Sequence, residues 1–221
     1  MEVELHCNGR ADGSCTIRQG NSMYLAAVHG PRLCPSRKRD YEKLSIEYAF
    51  CHKVKSQHNR KIEFLMRTVL DHAVDKGLFP RNQLLCNVQE LERDRDNTAS
   101  SVNAVCLALL DAAVPLKHMF CGVYVSVETQ STDTEDDQQK APSCSFIFVF
   151  KPSETSTGDL VGTVNNGKFT MDQFEQALNR AKGCCLSIFD FYREAMDKTF
   201  TAKLSYGLSA KRLRKFEAMQ H

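Results

Sequence analysis

ADGSCTIRQGNSMYLAAVHGP, residues 11–31, is the stretch whose reading decides the fold. Residues 14–18 and 23–28 read as two short strands. Gly20-Asn21 between them supply the positive-φ positions that a two-residue hairpin turn uses. Gly30-Pro31 ends the second strand in this reading, because proline cannot donate to a ladder. Residues 3–7 form a short strand before the hairpin. The hairpin pairs with a later stretch, DRDNTASSVNAVCLALLDAAVPL, residues 94–116. That stretch reads as a loop entering a helix whose apolar residues, Val102, Val105, Cys106, Leu109, Leu110 and Ala113, leave it almost engulfed, with Pro115 at its end.

Outward from these two segments the chain alternates strands and helices. Arg37-Lys38-Arg39 is a basic loop, and residues 44–50 alternate like a half-buried strand. Ile62, Leu65, Met66, Val69, Leu70, Ala73 and Val74 recur at helical spacing, and Gly77 is the expected left-handed stop, with Pro80 beyond. Residues 84–91, 119–127, 144–150 and 160–164 read as strands, and Asn165-Asn166-Gly167 as a turn. Thr170-x-x-Gln173 is a capping box opening the last long helix. Its buried stripe is Phe174, Leu178, Ala181, Cys185, Ile188, Phe191, Tyr192, Ala195 and Met196. The order predicts an α+β class, with β-sheets packed with helices in a single domain, residues 1–204. Residues 128–143 are an acidic surface insertion that reads as mobile, and residues 205–221 are a basic C-terminal tail.

Composition bounds the chemistry. The 221 residues are 42% hydrophobic and 25% charged, enough for one compact core. The formal charge of +2 excludes an overwhelming basic field, so any nucleic-acid surface is local. The N-terminus is polar, without the apolar region of a secretory leader, and no apolar run reaches the ~20 residues of a membrane helix. Ten cysteines lie largely in apolar patterns, among them Cys51, Cys106, Cys121 and Cys184-Cys185. They read as small buried hydrophobes in a reduced, intracellular protein. No CxxC and no zinc-finger spacing occurs, so no metal ligand is assigned.

On Asp12 to Ser14, Gln19 to Asn21 and Gly30-Pro31, on VNAVCLALLDAAVPLKHMFCGV at residues 102–123, and on FDFYREAM at residues 189–196, the chain resembles the RNase PH family. Within that family it is most similar to the exosome component 5 type of eukaryotic ring subunit. The resemblance covers residues 12 to about 200. It implies an RNase PH-like fold, of the ribosomal protein S5 domain 2-like kind, and a place in a six-membered ring. It further implies other RNase PH-like ring subunits and S1/KH cap subunits as partners, single-stranded RNA as the threaded molecule, and a site in nucleus, nucleolus and cytoplasm. The chain departs from the family in lacking an arginine-rich leader, in the acidic insertion and in the basic tail.

The resemblance also places a phosphate loop just before the central helix, where active relatives carry a Gly-Gly-Thr-Arg type of sequence. Here Arg95-Asp96-Asn97 stand there. Asp96 brings a negative charge to an anion's place, and Asn97 lacks the guanidinium fork that grips phosphate. Asp96 or Asn97 also suits a helix N-cap. Of the acidic residues active relatives carry after the strand at 144–150, only Glu154 and Asp159 remain. No catalytic residue and no cofactor is assigned. Glu90, Glu92, Asp94 and Asp96, interleaved with Arg93 and Arg95, suit either a salt-bridged loop or the carboxylates of a metal-dependent nuclease. Candidate RNA contacts are Arg37, Lys38, Arg39, Arg60, Arg67, Arg93 and Arg95, with the surface role of each left open. His52, His58, His72 and His118 read as structural.

The expected function is therefore a non-catalytic ring subunit that scaffolds an exosome core and helps thread RNA for 3′-to-5′ processing and decay. A metal-dependent hydrolytic nuclease acting as a homodimer outside the ring, and a phosphorolytic 3′–5′ exoribonuclease, are the alternatives.

Overall fold

A computed structural model describes residues 1–51, 57–92, 98–127, 144–153 and 158–217. The insertion at 128–143 and the loop at 93–97 lie outside them. Among the described residues, eight strands and three α-helices follow in the order β1 (Glu2–Leu5), β2 (Gly13–Gln19), β3 (Ser22–Leu33), β4 (Ser45–Cys51), α1 (Gln57–Ala73), β5 (Asn82–Glu92), α2 (Ala99–Asp111), β6 (Cys121–Val127), β7 (Cys144–Lys151), β8 (Asp159–Gly167) and α3 (Met171–Glu217). A five-stranded sheet runs β1-β2-β3-β5-β4 and a three-stranded sheet runs β6-β7-β8. All pairs are antiparallel except β4 with β5, which α1 joins as a parallel crossover.

Helices fill the space between the sheets. α2 packs on β2 and β3 of one sheet and on β6 of the other, and α1 bridges β4 and β8. α3 covers β6 and β7 from the far side. Every residue of α2 from Ala99 to Leu109 is buried, as its apolar run predicts. β7 is buried on both faces, which accounts for its unbroken CSFIFVF. Phe146 and Phe148 meet Phe174 of α3 edge-on at 5.8 and 5.5 Å between ring centres.

The hairpin that opened the reading is present, with Gln19 opposite Ser22. Only Gly20 takes positive φ, so the turn has glycine in the first central position and Asn21 needs none. β3 does not end at Gly30-Pro31 as expected. Gly30 and Pro31 together oppose Leu84 in a bulge that leaves the proline outside the ladder, and pairing resumes at Arg32 with Gln83. Asp12 explains part of the motif: its carboxylate accepts the Gly30 N–H at 2.7 Å. Gly13 explains the rest, because a Cβ there would enter the backbone of Ala108 in α2 and of Ala112, the residue that caps its C-terminus.

Three other boundaries differ from expectation. α1 stops at Ala73, and Gly77 lies in a short 3-10 turn without positive φ, its N–H held by the Asp75 carboxylate. Asn165-Asn166-Gly167 continue β8, because Phe146, Ser145 and Cys144 of β7 pair with them. The last helix is opened by the capping box as read, with Thr170 N–H to Gln173 Oε1 at 2.9 Å and Gln173 N–H to Thr170 Oγ1 at 3.4 Å. It then runs unbroken to Glu217, so residue 205 marks no break in the backbone.

Candidate functional site

The helix end that would face an anion is α2's N-terminus, which carries roughly half a positive charge from its aligned peptides. Arg93, Arg95, Asp96 and Asn97, with Asp94, lie outside the described residues. The cap position itself is Thr98, not Asp96 or Asn97, since helical geometry begins at Ala99. Thr98 makes no side-chain cap hydrogen bond. The hydroxyls of the first turn are directed into the protein. Ser100 Oγ donates to Gln19 Oε1 at 3.0 Å, and Ser101 Oγ donates to the Thr98 carbonyl at 2.6 Å.

One turn further in, Asn103 organises the centre of the molecule. Its Nδ2 donates to the Gly122 carbonyl at 3.1 Å and to Gln19 Oε1 at 3.3 Å. Its Oδ1 accepts the Gly122 N–H at 2.7 Å and the Tyr192 hydroxyl at 2.8 Å. β6 is an edge strand, so the Asn103 amide stands in for a missing neighbour and satisfies both backbone groups of Gly122. Only glycine fits there, because a Cβ would come 2.8 Å from the Ala99 carbonyl and 2.9 Å from Val102. Burial pushes the Tyr192 phenol well above its usual pKa and keeps it a donor. Four elements meet in this network: the β2–β3 hairpin, α2, β6 and α3.

Elsewhere, α1 and the free edge of β8 enclose a groove of about 650 Å³. Arg60, Lys61, Phe64, Leu65 and Thr68 line one wall, and residues 161–165 the other. Phe64 is 75% exposed, an unusual position for a large aromatic ring. Arg60 and Lys61 stand one turn before it, and Lys61 Nζ reaches the Asn165 carbonyl at 3.4 Å. An exposed ring flanked by cations can stack a base and meet the adjoining phosphates. α1 leaves from the same end of the five-stranded sheet as the β2–β3 turn, since β4 ends opposite Gln89 and Met23 pairs with Glu92.

The remaining sequence candidates scatter. Arg67 lines a different cleft, with Glu47, Tyr48 and Asn87 beside β4, so α1 does not bring it to Arg60's groove. Arg37 is exposed, Lys38 pairs with Glu47, and Arg39 gives Nε and Nη2 to the Cys34 carbonyl at 3.1 and 3.0 Å. Glu90 is buried, whereas exposed Glu92 pairs with Arg18 across the sheet at 3.0 Å. Asp159 pairs with Lys151 at 3.7 Å, as a strand-end carboxylate does, and Glu154 lies outside the described residues. Of the histidines, His118 Nδ1 meets the Met119 carbonyl at 3.1 Å, while His52 and the side chain of His58 lie outside the described residues. Cys106, Cys121 and Cys185 are buried as read, but Cys51 and Cys184 are exposed. Burial pushes the Cys86 and Cys106 thiols up to about 12 and leaves them without nucleophilic character.

Sequence reasoning missed Gln19, Asn103 and Tyr192 as one network, and Lys61 and Phe64 as lining of the groove. A polar Asn inside an otherwise apolar helix and a Phe out of phase with its stripe were the available signals.

The model of the 3′ exoribonuclease family, domain 1 (RNase PH), matches residues 1–115. The exosome complex component Rrp41 of Archaeoglobus fulgidus is 28% identical over 211 residues, covering 89% of this chain and 81% of that protein. The exosome complex component RRP46 homolog of Caenorhabditis elegans is 26% identical over 201 residues, covering 90% of this chain and 94% of that protein. Among solved structures, rice (Oryza sativa) Rrp46 superposes with a TM-score of 0.75 at 21% identity, over 89% of this chain and 93% of that one. An archaeal exosome core chain gives 0.65 at 12% identity, over 87% and 85%. The α+β reading and the RNase PH-like fold hold.

Proposed function

This chain belongs to the 3′ exoribonuclease (RNase PH) family, and on that premise we propose that it is a non-catalytic ring subunit of an RNA exosome. Its role is to scaffold the ring and help lead single-stranded RNA to nuclease subunits. The near end-to-end match to an RRP46 homolog supports this, as do the names of the archaeal relatives. Other RNase PH-like subunits are its ring neighbours, S1/KH subunits its caps, and nucleus, nucleolus and cytoplasm its places of work.

The observation that carries the non-catalytic reading is the commitment of α2's first turn. Ser100 and Ser101 spend their hydroxyls on Gln19 and Thr98. The resemblance aligns Asp96, which lies outside the described residues, with the phosphate loop of active relatives. A carboxylate about 4 Å from an anion at intermediate dielectric costs about 4 kcal/mol, roughly a thousandfold in binding. RNA affinity falls instead to the groove of Arg60, Lys61 and Phe64.

The test uses purified chain, labelled RNA and the other ring subunits. We expect co-elution with ring subunits, no nucleoside diphosphate on adding phosphate, and RNA binding that Arg60→Ala or Lys61→Ala weakens. Each of those variants should lower the slope of log K against log salt by about one. Phosphate-dependent release of nucleoside diphosphates, or Mg²⁺-dependent hydrolysis lost in Glu92→Gln or Asp96→Asn, would overturn the reading.

A further inference from the structure

The chain contains two Asn-Gly pairs, Asn8-Gly9 and Asn166-Gly167. In such a pair the peptide nitrogen of the glycine can attack the side-chain amide carbon of the asparagine, because no Cβ hinders its approach. The fold gives the two pairs opposite settings. Asn166 and Gly167 end β8 opposite Ser145 and Cys144 of β7. Ring closure there would twist the main chain out of a paired ladder and strand the backbone groups the ladder satisfies.

Asn8 and Gly9 stand instead in the turn between β1 and β2. The Asn8 main chain is clamped on both sides. Its N–H donates to Ser14 Oγ at 2.8 Å, and its carbonyl accepts the Ala11 N–H at 3.1 Å. Its side chain folds forward, with Oδ1 accepting the Arg10 N–H at 3.1 Å. The hydrogen-bonded ring of this Asx turn contains both the amide carbon and the Gly9 nitrogen. The Arg10 N–H also sits on the oxygen that gathers negative charge during attack, as an oxyanion-hole donor does. Gly9 itself is exposed, takes no positive φ, and a Cβ there would meet nothing within 4 Å. Neither packing nor backbone strain therefore calls for glycine here, in contrast to Gly13 and Gly122.

We propose that Asn8-Gly9 is a self-modification site, at which the turn converts its asparagine to aspartate and isoaspartate. The Gly9 nitrogen gives its proton to hydroxide and bonds to the Asn8 amide carbon, which releases ammonia and closes a succinimide. Water then opens that ring at either carbonyl, leaving aspartate or an isoaspartate whose side-chain methylene has entered the main chain. Water is consumed and ammonia leaves, with no change of oxidation state. The new carboxylate arrives beside Ser14, whose own N–H donates to the Asp111 carboxylate at 3.0 Å, at the negative end of α2. Like charges and a lengthened turn at this joint loosen β1. The site stands apart from the proposed RNA-handling role.

Peptide mapping by mass spectrometry, on the full chain aged at mildly alkaline pH, reads both pairs at once through the mass gained when an amide becomes an acid. In the folded chain Asn8 should convert severalfold faster than Asn166, and in urea the two rates should converge. Gly9→Ala should slow conversion severalfold without moving the melting temperature. Hydrogen exchange of β1 should quicken in the aged unmutated chain and not in aged Gly9→Ala. Equal rates at the two pairs in the folded chain, or a folded Asn8 slower than the unfolded one, overturns the proposal. Undiminished conversion in Gly9→Ala does the same, and unchanged β1 exchange after conversion overturns the loosening of that strand. None of these outcomes alters the proposed function, which is read by RNA binding and ring association.

Discussion

Replacing Asn103 by Leu keeps the volume but removes an amide that makes four hydrogen bonds, three of them buried. The Gly122 N–H and carbonyl lose their partner at the edge of β6, and the Tyr192 hydroxyl loses its acceptor. Three buried groups left unsatisfied at about 1–3 kcal/mol each put the cost near ~5 kcal/mol. Tyr192→Phe deletes one donor and leaves Asn103 Oδ1 bonded to Gly122, so its cost is about 1 kcal/mol. Since a domain of this kind is stable by ~5–15 kcal/mol, Asn103→Leu should be marginal where Tyr192→Phe is comfortable. Urea titration with linear extrapolation reads both values. The reasoning fails if Asn103→Leu shifts the midpoint no more than Tyr192→Phe, which would mean that the edge of β6 needs no surrogate strand.

Gly13→Ala would push a methyl group into the backbone of Ala108 and Ala112, and overpacking against backbone should cost at least ~2–3 kcal/mol, seen as a lowered melting temperature. The thiols give a reactivity and a pH prediction together. At about pH 8 a disulfide reagent should titrate exposed Cys7, Cys51 and Cys184 promptly and the remaining seven of ten only after unfolding. Burial raises the folded-state pKa of Cys86 and Cys106 from 9.0 to about 12. The stability tied to their neutral form is therefore complete below pH 9 and drains as pH rises towards 12, by on the order of a few kcal/mol per thiol. A flat stability between those limits would contradict it.

What the sequence made legible follows from the range of the forces involved. The α1 and α2 stripes are local in origin, because residues three and four apart share a face, and every residue of the α1 stripe is buried. The Thr170–Gln173 box is likewise settled within one turn. The parallel pairing of β4 with β5 is not local: α1 intervenes, and nothing in SIEYAFC distinguishes a parallel neighbour from an antiparallel one. The bulge at Gly30-Pro31 escaped for a related reason, since a proline stops a ladder only when the partner strand offers no place for an extra residue. α3 exceeds its expected end because residues 205–217 contain no proline, and a lone Gly207 costs a long helix only about 1 kcal/mol.

The central network lies at the extreme of this scale. Gln19 and Asn103 are 84 positions apart and Asn103 and Tyr192 are 89 apart, so their meeting exists only once both sheets have closed on α2. Each residue alone reads as ordinary: a hairpin Gln, an Asn in a buried helix, a Tyr in a helical stripe. Together they join two sheets and two helices through one fully satisfied amide. The same geometry that makes the core rigid thus withdraws the helix's side chains from an anion. Among the described residues, the α1–β8 groove offers an exposed Arg60 beside the Phe64 ring instead.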